Sequence, residues 1–190
     1  MTHLVAQVLE ELRDDHRNMA LMLDLLEREV GYIQDGAEAD YELLSDIMSY
    51  MTVYADAVHH PKEDLIYDIL RSAGAEFDSG LDSVADDHSE IAKLSQVLRR
   101  DIEAIVAGAA VTRDRVIADT LDYAQHLRRH MAWEEDDLFQ RADELVRQSN
   151  SVSVDASRLN AVDPVFSQSP QAGFDNLLRS IQEAAEESRL

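Results

Sequence analysis

The sequence predicts an all-α protein: a four-helix bundle, then a polar linker and a short amphipathic helix. Three observations carry that prediction. Four long stretches repeat apolar residues at helical spacing. The six glycines and three prolines are few and mostly fall outside those stretches. And 45% of the 190 residues are hydrophobic, enough for one sizeable core with an appendage.

The first helix is predicted over about residues 4–33. Leu9, Leu12, Met19, Leu23, Leu26, Val30 and Ile33 recur at spacings of three, four and seven, a sustained seam. The gap of seven is filled by His16, which stands where a core leucine belongs. Gly31, Asp35 and Gly36 are expected to stop this helix. The second spans about residues 40–73, with Leu44, Met48, Met51, Ala55, Val58, Ile66 and Leu70 as its stripe. His59 and Glu63 continue that stripe. Pro61 lies inside it, and a proline there removes a backbone hydrogen bond, so a kink or local break is expected beside the two polar residues.

The third helix covers about residues 81–107. Leu81, Val84, Ile91, Ser95, Leu98, Ile102 and Ile105 form its seam, and His88 takes the missing position. Gly108 ends it, and Thr112 or Asp114 is placed to cap the next. The fourth runs over about residues 113–147, with Ile117, Leu121, Ala124, Leu127, Leu138 and Leu145 on its apolar face, and His130 and Glu134 within that face. These four form a bundle over residues 1–148. Residues 149–173, rich in Ser, Asn, Asp, Gln and Pro, read as a linker. In the remaining stretch, 174–190, Phe174, Leu177, Leu178, Ile181 and Ala185 share one face of a short helix. That face is expected to dock on the bundle; the rival reading is a handle for a protein partner or for self-association.

Charge excludes several functions. There are 17 basic and 39 acidic residues, a formal charge of −22. Such a surface repels nucleic acid and anionic membranes. With no cysteine, disulfides, thiolate metal sites and cysteine nucleophiles are ruled out. No apolar run approaches the ~20 residues of a membrane span. The first residues lack a basic stretch followed by an apolar one, so a cytoplasmic protein is expected.

The chain repeats itself. His59-His60-Pro61-Lys62-Glu63 and His130-Met131-Ala132-Trp133-Glu134 both read His-x-x-x-Glu, at an offset of 71. Asp14-Asp15-His16 and Asp86-Asp87-His88 repeat at an offset of 72. Residues four apart share a helix face, so each motif aims one imidazole and one carboxylate at a common point. Each half then offers His, His and Glu to one level of the core. A lone seam histidine is usually a satisfied core residue. Buried carboxylates alter that reading, because an unpaired one costs several kcal/mol or shifts its pKa. Four imidazoles and two carboxylates in one apolar core call for a cation. Imidazole with carboxylate suits Fe, Mn, Zn or Cu. The set is too large for one tetrahedral zinc. It fits two metals, each held by two imidazoles and bridged by Glu63 and Glu134, and an oxo- or hydroxo-bridged pair of iron ions is the expected chemistry. The Glu-x-x-His pairs of ferritin-type bundles are absent.

The set His16, His59-x-x-x-Glu63, His88, His130-x-x-x-Glu134 resembles the hemerythrin-like (HHE cation-binding) family, and the phrase His59-His60-Pro61-Lys62-Glu63-Asp64-Leu65-Ile66 is similar to that family's. The resemblance covers about residues 8–146. It implies an up-down four-helix bundle with a non-haem di-iron centre ligated by His16, His59, Glu63, His88, His130 and Glu134. Oxygen-storing hemerythrins carry a further histidine four residues after the one on the third helix; here that position is Ala92. They also place the last carboxylate five residues after its histidine, against four here. A vacancy at Ala92 points to binding of, or reaction with, a small oxidant (dioxygen, peroxide or nitric oxide) in an oxidative or nitrosative stress response. The alternative is an iron or oxygen sensor signalling through the C-terminal helix. Four residues near the motifs are candidates for a further ligand in place of Ala92. His60 and His126 lack counterparts in the repeat and are expected at the surface or behind the ligands; Tyr54 and Tyr123 could approach the metals but are expected to serve the core.

Overall fold

The computed structural model describes residues 2–72, 81–148, 163–166 and 173–187. Among these there is no strand. Four helical rods form the bundle. The first is α1 (Thr2–Gln34). The second is built from α2 (Tyr41–Tyr50), a π-helical stretch (Met51–His59) and α3 (His60–Ser72). The third is α4 (Leu81–Val106). The fourth is α5 (Arg113–Trp133), a second π-helical stretch (Glu134–Leu138) and α6 (Phe139–Gln148). A shorter helix, α7 (Asp175–Glu187), packs against α2. Short connections make neighbouring rods antiparallel; α1 packs on α5, and α2 on α4.

The rods begin and end for local reasons. Asp40 caps α2 by accepting the Leu43 N–H at 2.9 Å. Gly36 and Gly108, with φ of 75° and 84°, let the chain turn out of α1 and α4 through the left-handed region. Gly31 does not stop α1, which continues through it to Gln34. Thr112 stands at the cap of α5 but makes no side-chain capping bond.

The seams read from the sequence are the core. Leu9, Leu12, Met19, Leu23, Leu26, Val30 and Ile33 are buried, as are Leu44, Met48, Met51, Ala55, Ile66, Leu70, Val84, Ile91, Ser95, Leu98, Ile102, Ala124, Leu127 and Leu138. Leu121 departs from the expectation: it is 41% exposed, while Val116, Thr120 and Tyr123 take the inner face of α5. The core is divided. One apolar cluster includes Met19, Ala55, Ile91 and Leu127, and the other includes Leu12, Ile66, Val84 and Leu138. In each rod the break between the two falls where the histidines and glutamates stand. The site is therefore a polar layer between two apolar ones.

The expected linker is only partly described, and the described part lies on the bundle. Asp163 accepts a hydrogen bond from the Tyr50 hydroxyl at 3.0 Å, Val165 is buried, and Phe166 meets Tyr50 edge-on with ring centroids 5.9 Å apart. Leu177 of α7 is fully buried, and Phe174, Leu178 and Ile181 pack against the same apolar cluster. The side chains of Leu81 and Ala185 lie outside the described residues.

Candidate metal centre

Both π-helical stretches touch the site. The first ends on His59, and the His60 N–H bonds to the Ala55 carbonyl five residues back. The second starts on Glu134, and the Phe139 N–H bonds to the Glu134 carbonyl, again five back. A π-turn widens the helix by one residue and is found at functional sites. The first one takes up the disturbance expected from Pro61: the ladder has already slipped register where the proline, lacking an N–H, enters α3. The second has no proline, and nothing in the motif spacing announced it.

All six residues predicted from the repeat meet in the polar layer. Glu63 Oε1 lies 2.8 Å from His59 Nε2 and 3.1 Å from His16 Nε2, and its Oε2 lies 3.4 Å from His88 Nε2. Glu134 Oε2 is 3.3 Å from His130 Nε2 and 3.5 Å from His16 Nε2, and its Oε1 is 3.8 Å from His88 Nε2. His88 and His130 bring their Nε2 atoms within 3.1 Å. Each carboxylate thus touches imidazoles from both halves of the repeat. Among the described residues, two groups can each offer one ligand atom per residue with those atoms all within 4.8 Å of one another: His16, His59 and Glu63, and His60, Glu63, His88 and His130.

Of the two places expected for His60, the structure excludes one. It is not at the surface; it is 4% exposed and its ring stacks on His88 with centroids 4.2 Å apart. On an ordinary α-helix, adjacent residues point about 100° apart. The widened turn ending at His59 lets both histidines face inward. The other candidates stand back. Tyr54 donates to Asp15 at 3.0 Å, His126 lies 3.8 Å from Asp87, and Tyr123 is fully buried in the apolar core. The helices carry Ala92 in the place considered for a fifth histidine, and its carbonyl accepts from Ser95 at 3.0 Å.

A ring of carboxylates backs the imidazoles. His16 Nδ1 bonds Glu135 at 3.1 Å, and His59 Nδ1 bonds Asp15 at 3.1 Å. Three more stand at ion-pair distance: His88 Nδ1 to Asp64 (3.4 Å), His130 Nδ1 to Asp87 (3.8 Å) and His60 Nδ1 to Asp56 (3.7 Å). Four of these follow the repeat: Asp15 corresponds to Asp87, and Asp64 to Glu135. A carboxylate behind the far ring nitrogen orients a metal-binding imidazole and raises its basicity. Asp15 is itself held by Tyr54 and by the buried Lys62, whose Nζ is 3.7 Å away.

Burial alone would push the histidines toward neutrality and the glutamates toward protonation. Contact reverses this. His16 is lowered by burial, but its bonds to Glu134 and Glu63 raise it to about 10. His88 is likewise lowered by burial, and Asp64, Glu134 and Glu63 raise it to about 11. Burial and the Glu63 charge raise Glu134, yet the nearby imidazoles of His130, His16 and His88 bring it down to about 2. Glu63 is raised by burial and held well below the ordinary range by His59, His16 and His88. For His60, burial and the neighbouring His88 charge prevail over the Glu63 carboxylate and hold it well below the ordinary range.

A cation fits this donor set. Glu63 Oε2, Glu134 Oε2 and His60 Nε2 are buried without hydrogen-bond partners, an arrangement that metal coordination satisfies. The donors are imidazole and carboxylate with no thiolate, which suits Fe, Mn, Zn or Cu. Residues 7–147 match the family described as the Hemerythrin HHE cation binding domain. The chain belongs to that family. Comparison with curated proteins and with solved structures found no match. For a hemerythrin-family chain, the match and the buried cluster together imply metal binding. No helix among the described residues is long and apolar enough to cross a membrane.

Proposed function

We propose that this chain holds two iron ions between His16, His59, Glu63, His88, His130 and Glu134, and that it binds or reacts with a small oxidant: dioxygen, peroxide or nitric oxide. The reading extends to a role in an oxidative or nitrosative stress response, in the cytoplasm. The observation that carries the reading is the position of the two glutamates. Glu63 touches His16, His59 and His88, and Glu134 touches His16, His88 and His130, so each lies between the two histidine sets, as a bridging carboxylate must. A pair of iron ions there would supply oxidation–reduction chemistry toward small molecules. The protein's own part is to hold the donors, to keep water out with the apolar clusters on either side, and to orient the imidazoles through Asp15, Asp64, Asp87 and Glu135.

The test is an optical one. Metal-free protein loaded anaerobically with ferrous iron is mixed with dioxygen, hydrogen peroxide or nitric oxide, and its absorption followed. The reading expects a new near-ultraviolet or visible band with at least one of the three. Protein that takes up no iron, or a loaded protein inert to all three, would sink it.

A second reading, sensing, draws on a continuous set of contacts leading out of the site. His59 bonds Asp15, Asp15 bonds Tyr54, Tyr54 stacks on Tyr50 at 5.5 Å, and Tyr50 donates to Asp163 of the C-terminal segment. If this route reports the state of the centre, amide exchange in α7 changes when metal is added. Identical exchange in both states removes the sensing reading.

A further inference from the structure

We propose that His60 is itself a metal ligand, the third imidazole on the side of His88 and His130, making the centre asymmetric. The proposal rests on the metal reading above and deepens it. Five histidines lie in the polar layer, and His60 shares with the other four its burial and an outer carboxylate behind one ring nitrogen, although its inner nitrogen is paired with neither glutamate. It is buried. One ring nitrogen faces an outer carboxylate, Asp56, at 3.7 Å. The other, Nε2, has no hydrogen-bond partner. A ligating atom of His60 lies within 4.8 Å of those of Glu63, His88 and His130. Asp56 is itself fixed, because Ser95 donates to its other oxygen at 2.7 Å.

What His60 lacks is a twin. The repeat offset of 71 pairs His60 with Met131 and Asp56 with Leu127, and both are buried in the apolar core. The imidazole with its backing carboxylate is therefore replaced, in the other half, by a matching pair of apolar side chains. The centre has three imidazoles, His60, His88 and His130, against two, His16 and His59, with Glu63 and Glu134 shared. Ala92 then leaves no deficit on the three-imidazole side: the ligand is supplied from the second rod, through the widened turn that ends at His59. With this assignment the His16–His59 side has fewer imidazoles, and a small ligand would bind there.

The rival account makes His60 a packing partner stacked on His88. Proton NMR of the cobalt(II)-loaded protein separates the two. Ring N–H protons of imidazoles bound to a paramagnetic ion give strongly shifted signals that vanish in heavy water. Wild-type protein is expected to show five, and His60→Gln four, with the wild-type fold by circular dichroism. Should His60→Gln fail to fold, His60→Ala with added imidazole is the second arm: the lost signal returns only if free imidazole takes up the ligand position. A His60→Gln spectrum with every wild-type signal, or an alanine variant that binds two metals and ignores imidazole, overturns the proposal while leaving the metal reading standing. Wild-type protein that takes up no cobalt and no iron removes both.

Discussion

Replacing Glu63 by glutamine tests the centre most revealingly, because it keeps the side chain's size and removes only the charge. Glu63 is fully buried and is in contact with His16, His59 and His88 together. Without metal, the variant leaves histidines raised by that carboxylate facing a neutral amide. Breaking a buried ion pair by removing one partner costs about 3–5 kcal/mol. At about 2–4 °C per kcal/mol for a chain of this size, the metal-free variant should melt about 6–20 °C below wild type. Metal separates this from a simple packing defect. A ligand at 100 times its Kd stabilises by about 2.7 kcal/mol per site, so two sites give wild type about 5 kcal/mol, or about 10–20 °C. The variant, lacking a shared carboxylate, should recover less than half of that gain. The assay is thermal unfolding by circular dichroism, with and without two equivalents of ferrous iron under anaerobic conditions. A Glu63→Gln protein that melts at the wild-type temperature without metal, and gains as much on loading, would refute the reasoning.

Further predictions follow from the same geometry. In metal-free protein, His16 and His88 stand at about 10 and about 11 against an ordinary 6.5. Their stabilising contribution is complete below pH 6.5 and fades as pH rises through 10 and 11. Glu134 stands at about 2 against 4.5, so its contribution is complete above pH 4.5 and fades toward pH 2. Urea unfolding of metal-free protein should therefore give a plateau between those limits, with losses on both sides. Because His16 and His88 carry protons at neutral pH, metal loading should release protons into a weakly buffered solution and tighten as pH rises; an indicator dye that detects no release contradicts this. Asp15→Asn removes the carboxylate behind His59 and should weaken metal binding by about 10–100-fold with the fold intact, as read by competition with a chelator. Leu177→Ala empties a fully buried position under α7 and should destabilise the docked helix by about 2–5 kcal/mol; amide exchange confined to α7 would reveal it, while unchanged protection there would contradict the packing described.

Much of this was open to reading in the sequence because helical period and burial are tightly linked. His16 and His88 were legible as interruptions of seams whose other members are buried, and the 71- and 72-residue offsets led from one half of the site to the other. The outer carboxylates were written in the same repeat, in Asp15 and Asp87 and in Asp64 and Glu135, but a chain 39 acids rich offers no way to single them out without coordinates. Two features were hidden for a physical reason. A π-turn changes which residues share a face, and a reading that assumes 3.6 residues per turn places His60 beside His59 rather than inward with it. Pro61 hinted at the disturbance without giving its form. Elsewhere, Leu121 lies at the edge of an apolar stripe, where small rotations of α5 decide exposure. Residues 163–166 fall in a stretch whose overall polarity reads as linker, yet a hydrogen bond from one tyrosine hydroxyl and two apolar side chains, Val165 and Phe166, join them to the bundle.

The central claim is that one polar layer holds two metal ions through both halves of the repeat. Iron content after anaerobic loading and gel filtration, compared between wild type and the paired variants His59→Leu with Glu63→Leu and His130→Leu with Glu134→Leu, tests it most directly. The account predicts two irons per wild-type chain and a loss in each paired variant, since both halves contribute to one centre. One iron or none in wild type, or two irons retained in either variant, would contradict it.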